Sequence, residues 1–271
     1  MNKPRESAAQ SIDLGINRPH SARIWNYWLG GKDNFPADRE AGDMVEQHIP
    51  GIKESALADR AFLGRCVQHL VADMGIRQFL DIGTGLPTVD NTHEVAQRIA
   101  PESRIVYVDN DPLVLTHARA LLVSEPEGVT TYIDADLRDP QTILTTARET
   151  LDFDKPVAVM LLGILHHLVD DDEALRVVRE LVEAVPSGSY LAVAHATAEV
   201  HGEAMHVAMR QFMERGGTPI VARDKAALAR FFEGLEMLEP GVVSCSRWRA
   251  EESPWGEPEE VSQFCGVARK P

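Results

Sequence analysis

Residues Phe79 to Pro87 read FLDIGTGLP: an apolar strand that runs straight into Gly83-Thr84-Gly85. Glycines at the end of a strand permit positive φ and a tight turn, and they let a ligand approach the backbone closely. A dinucleotide fingerprint, G-x-G-x-x-G, would place a third glycine at position 88, where this chain carries Thr88. Pro87 stands where a phosphate-binding helix would begin. The turn therefore suits an adenosyl ligand without phosphates better than a pyrophosphate held on a helix N-terminus.

Moving outward from this turn, RQFLDIG, SRIVYVDN, VTTYIDA, PVAVMLLG and SYLAVAHA read as strands at regular intervals. Helical stretches near Asn91 to Ala100, Pro112 to Leu122, Pro140 to Thr150 and Asp170 to Ala184 separate them. Nearly continuous apolar strands alternating with helices predict a parallel sheet covered on both faces, in a doubly wound, Rossmann-like α/β fold. After a helix around Asp224 to Phe232, GLEMLEPGVVSCSRW and EVSQFCGVARK read as strands joined by a loop rich in Glu, Pro and Trp. That loop has no room for a crossover helix, so the two must pair antiparallel. The expectation is a seven-stranded sheet, mostly parallel, closed by an antiparallel C-terminal hairpin.

Three helical segments precede the sheet. HSARIWNYWLGG sets Ile24 and Trp28, and Trp25 and Leu29, four apart, and stops at Gly30–Gly31. A second helix starts near Asn34, with Pro36 in its first turn, and stops at Pro50–Gly51. The third carries Leu63, Val67, Leu70, Val71 and Met74 on one face and should pack on the sheet. This divides the chain into a tail (1–16), an N-terminal helical cap or lid (17–75) and a ligand-binding domain (76–271). Within the cap, Arg23, Tyr27, Lys32, Asp33 and Asn34 cluster around the glycine pair, which points to His20 to Phe35 as part of an active-site wall.

Composition restricts the function classes. The 271 residues are 44% hydrophobic and 25% charged, an ordinary globular balance. A formal net charge of −15 argues against a large nucleic-acid surface. No apolar run is long enough to span a bilayer, and MNKPRESAAQ lacks the apolar stretch of a signal peptide, so a cytoplasmic protein is expected. Cys66, Cys245 and Cys265 lie far apart, an odd count that suggests buried, reduced thiols. A homodimer is compatible with all of this. No G-x-S-x-G, Walker lysine loop or H-E-x-x-H occurs, and no metal site is expected.

Three further segments carry candidate ligand contacts. IVYVDNDP ends its strand on Asp109, 28 residues after Asp81 (109 − 81). A carboxylate there can accept from both ribose hydroxyls, while Asp111 is the better placed to cap the helix at Pro112. In YIDADLRDP, Asp136 can accept from an adenine amine with Leu137 packed on the ring, and Asp139 reads as the next cap. In MLLGILHHLVDDD the strand ends at Leu162–Gly163, and His166 and His167 follow as candidate bases or substrate contacts. Asp170 to Asp172 read as a further cap. His195, His201 and His206, with Glu199, match no metal-ligand spacing and are expected at the surface or in a cleft.

RPHSARIWNYWLGGKDNFPADRE (Arg18–Glu40), DIGTGLPTVDNTHEVAQ (Asp81–Gln97) and YVDNDPLVLTHARALL (Tyr107–Leu122) together resemble the S-adenosyl methyltransferase family once filed as a domain of unknown function. The resemblance covers nearly the whole chain after Asn17, and from Ile76 onward it extends to class I methyltransferases in general. It implies S-adenosylmethionine (SAM) as cofactor, S-adenosylhomocysteine as product, and a methyl acceptor that is most simply a small molecule. It places Gly83 and Gly85 at the methionine end, Asp109 at the ribose and Asp136 near adenine. The candidate cofactor set is completed by Tyr27, Gly31, Asp81, Thr84, Asn110, Leu137, Leu162 and Gly163, with His166 and Tyr27 as catalytic candidates. A NAD(P)-dependent oxidoreductase and a non-catalytic SAM-binding protein remain as alternatives.

Overall fold

The computed structural model describes residues 15–121, 124–251, 253–254 and 256–271, and residues 118–121 in backbone only. Three helices come first: α1 (Ser21–Trp28), α2 (Pro36–His48) and α3 (Ile52–Ala72). Then β1 (Gln78–Ile82), α4 (Thr92–Ile99), β2 (Arg104–Asp109), α5 (Pro112–Leu121), β3 (Val129–Asp134), α6 (Pro140–Ala147), β4 (Ala158–Leu162), α7 (Asp171–Glu183) and β5 (Tyr190–Ala196) alternate. The chain ends with α8 (Glu203–Glu214), α9 (Lys225–Ala229), β6 (Glu236–Met237), β7 (Val243–Ser244) and β8 (Gln263–Arg269).

The sheet order is β3-β2-β1-β4-β5-β8-β6, with β7 also on β8. The first five strands in this order are mutually parallel. β8 inserts antiparallel between β5 and the β6 and β7 pieces. The expected single hairpin arm before β8 is thus two short strands, which makes eight in all. Pro240 and Gly241 cause the break: proline has no N–H for the ladder, and Gly241 turns at φ +84° with its N–H on Leu238 O.

Alternation along each strand feeds a core on either face. Leu80, Ile82, Val106 and Val108 meet α6 and α7 on one side. Phe79, Ile105 and Tyr107 meet α3 and α4 on the other, with Phe62, Cys66, Val67 and Leu70 of α3 fully buried. The third helix therefore does pack on the sheet, but Met74 lies past its end and is exposed. Helix α8, which the sequence reading did not foresee, carries Met205, Ala208, Met209 and Phe212 inward and packs on α1 and α2 through Ile24, Met44 and Ile49. All three cysteines are free and buried. Among the described residues no helix is long and apolar enough to cross a membrane.

The tail expected over residues 1–16 lies outside the described residues as far as residue 14. From Gly15 on the chain is tied down, since Arg23 donates to Arg18 O at 2.8 Å and to Gly15 O at 3.4 Å. Asp38, fully buried, is the hub of the segment. It accepts from His20 N at 2.9 Å and Phe35 N at 2.8 Å, and faces Arg23 Nε at 3.2 Å. His20 then reaches across to Asp111 Oδ2 at 3.1 Å and fastens the segment to the end of β2.

Candidate active site

At the carboxyl ends of β1, β2 and β4 lies a cleft of about 170 Å³, roofed by α1 and α3. This edge is where open α/β sheets place ligands, because the loops diverge on either side of the central strand. Gly83 and Gly85 turn at φ +78° and +64°. A side chain at Gly83 would strike Ile164, whereas a Cβ at Gly85 would meet only Ala22, at 3.9 Å. Helix α4 begins at Thr92, nine residues beyond Gly83 (92 − 83), where Asn91 and Glu94 form a reciprocal capping box. The glycine turn thus runs into a loop and not directly into α4, although Asn91 and Thr92 at the start of that helix also line the cleft.

Asp81, Gly83, Thr84, Gly85, Asp109, Asn110, Asp136, Leu137, Leu162 and Gly163 all line this cleft. Asp109 accepts from Gly85 N and Asp111 N, both at 2.9 Å, which fixes its carboxylate at the tip of β2. Asp111 accepts from Leu113 N at 2.8 Å, the helix-capping bond its position calls for. Asn110 donates to Asp136 Oδ2 at 3.3 Å, and Arg138 N donates to Asp136 Oδ1 at 2.8 Å. Thr84 and Tyr132 share a hydroxyl contact of 3.2 Å. Asp139 and Asp170 cap α6 and α7 by accepting from Thr142 N and Glu173 N.

Among the lining residues that escaped the sequence reading are Asp59 and Arg60, on α3. Asp59 is 6% exposed, held by Gln263 Nε2 at 3.4 Å and Cys245 Sγ at 3.9 Å. Asp81 is also 6% exposed and accepts from Thr92 Oγ1 at 2.6 Å. Burial lifts both carboxyls from the usual aspartate range to about 6, partly offset by the Arg60 guanidinium. Burial likewise raises Asp109. A readable signal existed: Asp59 falls on the buried stripe of α3, four residues from Ser55 and from Leu63, where a carboxylate needs a reason.

Three candidates lie elsewhere. Tyr27 is two residues from Trp25, about 200° around the helix, and so faces away from the cleft. Its hydroxyl donates to Asp43 Oδ1 at 2.7 Å and its ring lies against Gly42. Gly31 packs on the Asn26 side chain and does not reach the cleft. The polar cluster around it bonds internally, since Asn26 Oδ1 accepts from Asp33 N and Asn34 Nδ2, both at 3.0 Å. From this segment it is His20, Ser21, Ala22, Trp25, Asn26 and Leu29 that line the cleft. His166 sits in an adjoining pocket, whereas His167 lines the cleft, its Nδ1 2.9 Å from Pro219 O. His195 is fully buried inside β5, 2.9 Å from Arg223 Nη1, and is no surface residue; burial lowers it to about 3.

These positions make Tyr27→Phe a mild change. It should cost about 0.5–1 kcal/mol through one lost hydrogen bond near the surface. Calorimetry should show ligand affinity unchanged, and a tenfold loss would mean that the hydroxyl reaches the site after all.

A family model described as S-adenosyl methyltransferase matches residues 5–271. The chain is 45% identical to a DUF574-family protein from Streptomyces avermitilis, covering 96% of this chain and 100% of that one, with a TM-score of 0.91. It is 42% identical to a proposed methyltransferase from Thermobifida fusca, covering 97% and 99%, with a TM-score of 0.86. A SAM-dependent methyltransferase from Anabaena variabilis shares the fold at a TM-score of 0.52, with 13% identity over 75% of this chain and 80% of that one. No curated protein matches the chain.

Proposed function

The chain belongs to the S-adenosyl methyltransferase family, and on that premise we propose that the cleft above β1, β2 and β4 holds SAM and that the acceptor is a small molecule. The carrying observation is electrostatic. Asp59, Asp81 and Asp109 converge on one cleft from α3, β1 and β2. Three carboxylates, those of Asp59 and Asp81 buried and that of Asp109 half-buried, favour a ligand with an ammonium and a sulfonium, and oppose a pyrophosphate.

When bound, SAM supplies a sulfonium methyl ready for in-line transfer and leaves as S-adenosylhomocysteine. The chain's own residues do the holding. Asp109, fixed by two backbone N–H groups, is placed to accept from the ribose hydroxyls. Asp136, steadied by Asn110 and Arg138, is placed for the adenine amine, with Leu137 against the ring. Gly85 leaves the backbone open at the methionine end, where Asp59 and Asp81 face the ammonium and Arg60 lies in the same cleft for the carboxylate. Trp25, Leu29 and Leu168 exclude water from this space and so strengthen each of these contacts.

Titration calorimetry should show SAM and S-adenosylhomocysteine binding with NADH giving no heat. Binding of NADH with no response to either adenosyl ligand would overturn the reading.

A further inference from the structure

Next to the cofactor cleft lies a second pocket of about 80 Å³, enclosed by α1, α2, α8 and the ends of β5 and β8. The two share Ser21 and Trp25 as a common wall. They meet again at Gly163, where a Cβ would lie 3.8 Å from Trp25 and from Gln263 Nε2 and 3.9 Å from His166 Cε1. Gly163 belongs to the cleft, and Gln263 and His166 to the pocket. Methyl transfer needs donor and acceptor sites that adjoin, as these two do at Gly163.

The lining states what kind of molecule fits. Trp25, Trp28 and Phe212 offer aromatic walls, and Met205 and Met209 offer soft, adaptable ones. None of the described lining residues is Asp, Glu, Lys or Arg, so an ionised group would be buried without a counter-charge. Most of the buried polar groups are already engaged: Ser55 Oγ bonds Gly51 O and Ser262 N, Ser262 Oγ bonds His201, and Gln263 bonds Asp59. His166 differs. It is 2% exposed, and its Nδ1 has no hydrogen-bond partner among the described residues. Burial, together with the neighbouring His167 and His195, pushes its pKa well below the usual range, so the imidazole is neutral and offers one donor and one acceptor. A buried ring nitrogen without a partner costs free energy, and the ring that carries it lines this pocket.

Resting on the SAM assignment above, we propose that this pocket binds the methyl acceptor, and that the acceptor presents an uncharged aromatic ring whose single hydroxyl pairs with His166. His166 acts as a positioning residue: it orients the hydroxyl beside Gly163, and the ring fills the space between Trp28 and α8. In the transfer the acceptor oxygen forms its bond to the methyl carbon as the C–S bond breaks. The C–S electron pair stays on sulfur, and the hydroxyl proton is released to solvent.

The test uses full-length protein saturated with S-adenosylhomocysteine, titrated with 4-ethylphenol, ethylbenzene and 4-hydroxybenzoate. The expected result is that 4-ethylphenol binds at least tenfold more tightly than either the ring without the hydroxyl or the ring with a carboxylate. Ala208→Leu and, independently, Ile220→Phe, at two residues that line the pocket, should each weaken 4-ethylphenol at least tenfold while S-adenosylhomocysteine affinity stays unchanged; that affinity also reports that the variant is folded. His166→Asn should collapse the preference for 4-ethylphenol over ethylbenzene, which a purely structural role would leave intact. Equal binding of the phenol and the benzoate, no phenol binding at millimolar concentration, or indifference to both pocket-filling variants would each overturn the proposal and leave the SAM reading standing. Failure of S-adenosylhomocysteine to bind the wild-type chain would overturn both.

Discussion

Replacing Asp109 by alanine is expected to weaken S-adenosylhomocysteine binding by about 2–3 kcal/mol, roughly 30- to 150-fold, the worth of a charge-assisted pair of hydrogen bonds in a water-poor site. In this chain the carboxylate is pinned by Gly85 N and Asp111 N, so it meets a ribose without first being ordered. Its removal also strips those two N–H groups of their partner, so the melting temperature should fall as well. Asp111→Ala should behave differently. Asp111 accepts from Leu113 N as a helix cap and faces His20 across the cap segment, and it does not line the cleft. Its loss should cost about 1 kcal/mol of stability, a shift of about 2–4 °C in melting temperature for a chain of this size, with affinity nearly unchanged. Calorimetry and thermal melts on the two variants decide the matter, and the reverse ranking would mean that the two aspartates have been assigned the wrong way round.

Much of this was legible in the sequence, for reasons that can be named. The parallel sheet announced itself because strands buried on both faces must be apolar throughout, and the candidate cleft could be located because Asp81, Gly83, Gly85, Asp109 and Asp136 stand at or just past strand ends, at the carboxyl edge of the sheet. The cap was harder, because a helix's chemistry depends on which face it turns to the cleft. Tyr27 and Trp25 are two residues apart and point in opposite directions, and only the packing of α1 on α2 and α8 decides which of them looks inward. Gly31 and its polar neighbours misled for a related reason. Their hydrogen bonds close on Asn26, so a cluster that looks like a ligand site is a turn satisfying itself. Helix α8 was missed because the stretch after β5 carries glycines and charges at both ends, and its apolar stripe becomes evident only against Ile24, Met44 and Ile49. The division of the sixth strand position follows from Pro240, a local rule that the sequence does contain.

The other large effect is expected at Asp59, where stability and ligand binding should move in opposite directions. Burial raises this carboxyl from 3.8 to about 6, Arg60, Gln263 and Cys245 pull it back, and the nearby Asp81 carboxylate pushes it further up. An acid whose folded-state pKa is raised contributes stability that is complete below its unfolded value, near 3.8, and lost as the pH climbs through about 6. At pH 8 the ligand-free protein therefore carries a charge that the fold would rather not hold. Asp59→Asn keeps an oxygen for Gln263 and removes that charge, so the ligand-free variant should be more stable than wild type at pH 8. A shift of this size corresponds to at most about 3 kcal/mol, and the advantage should vanish near pH 4. Binding should run the other way. A cationic ligand supplies the counter-charge that ionised Asp59 lacks, so wild-type SAM affinity should rise between pH 5 and 7, with Asp81 titrating over the same range. The asparagine variant should lose at least tenfold in affinity at pH 8 and converge on wild type at pH 5. A variant no more stable at pH 8, or one that binds SAM as tightly as wild type there, would show that the buried carboxylate serves the fold and not the cofactor. The opposite outcome would identify Asp59 as a place where stability is given up to hold a positive charge.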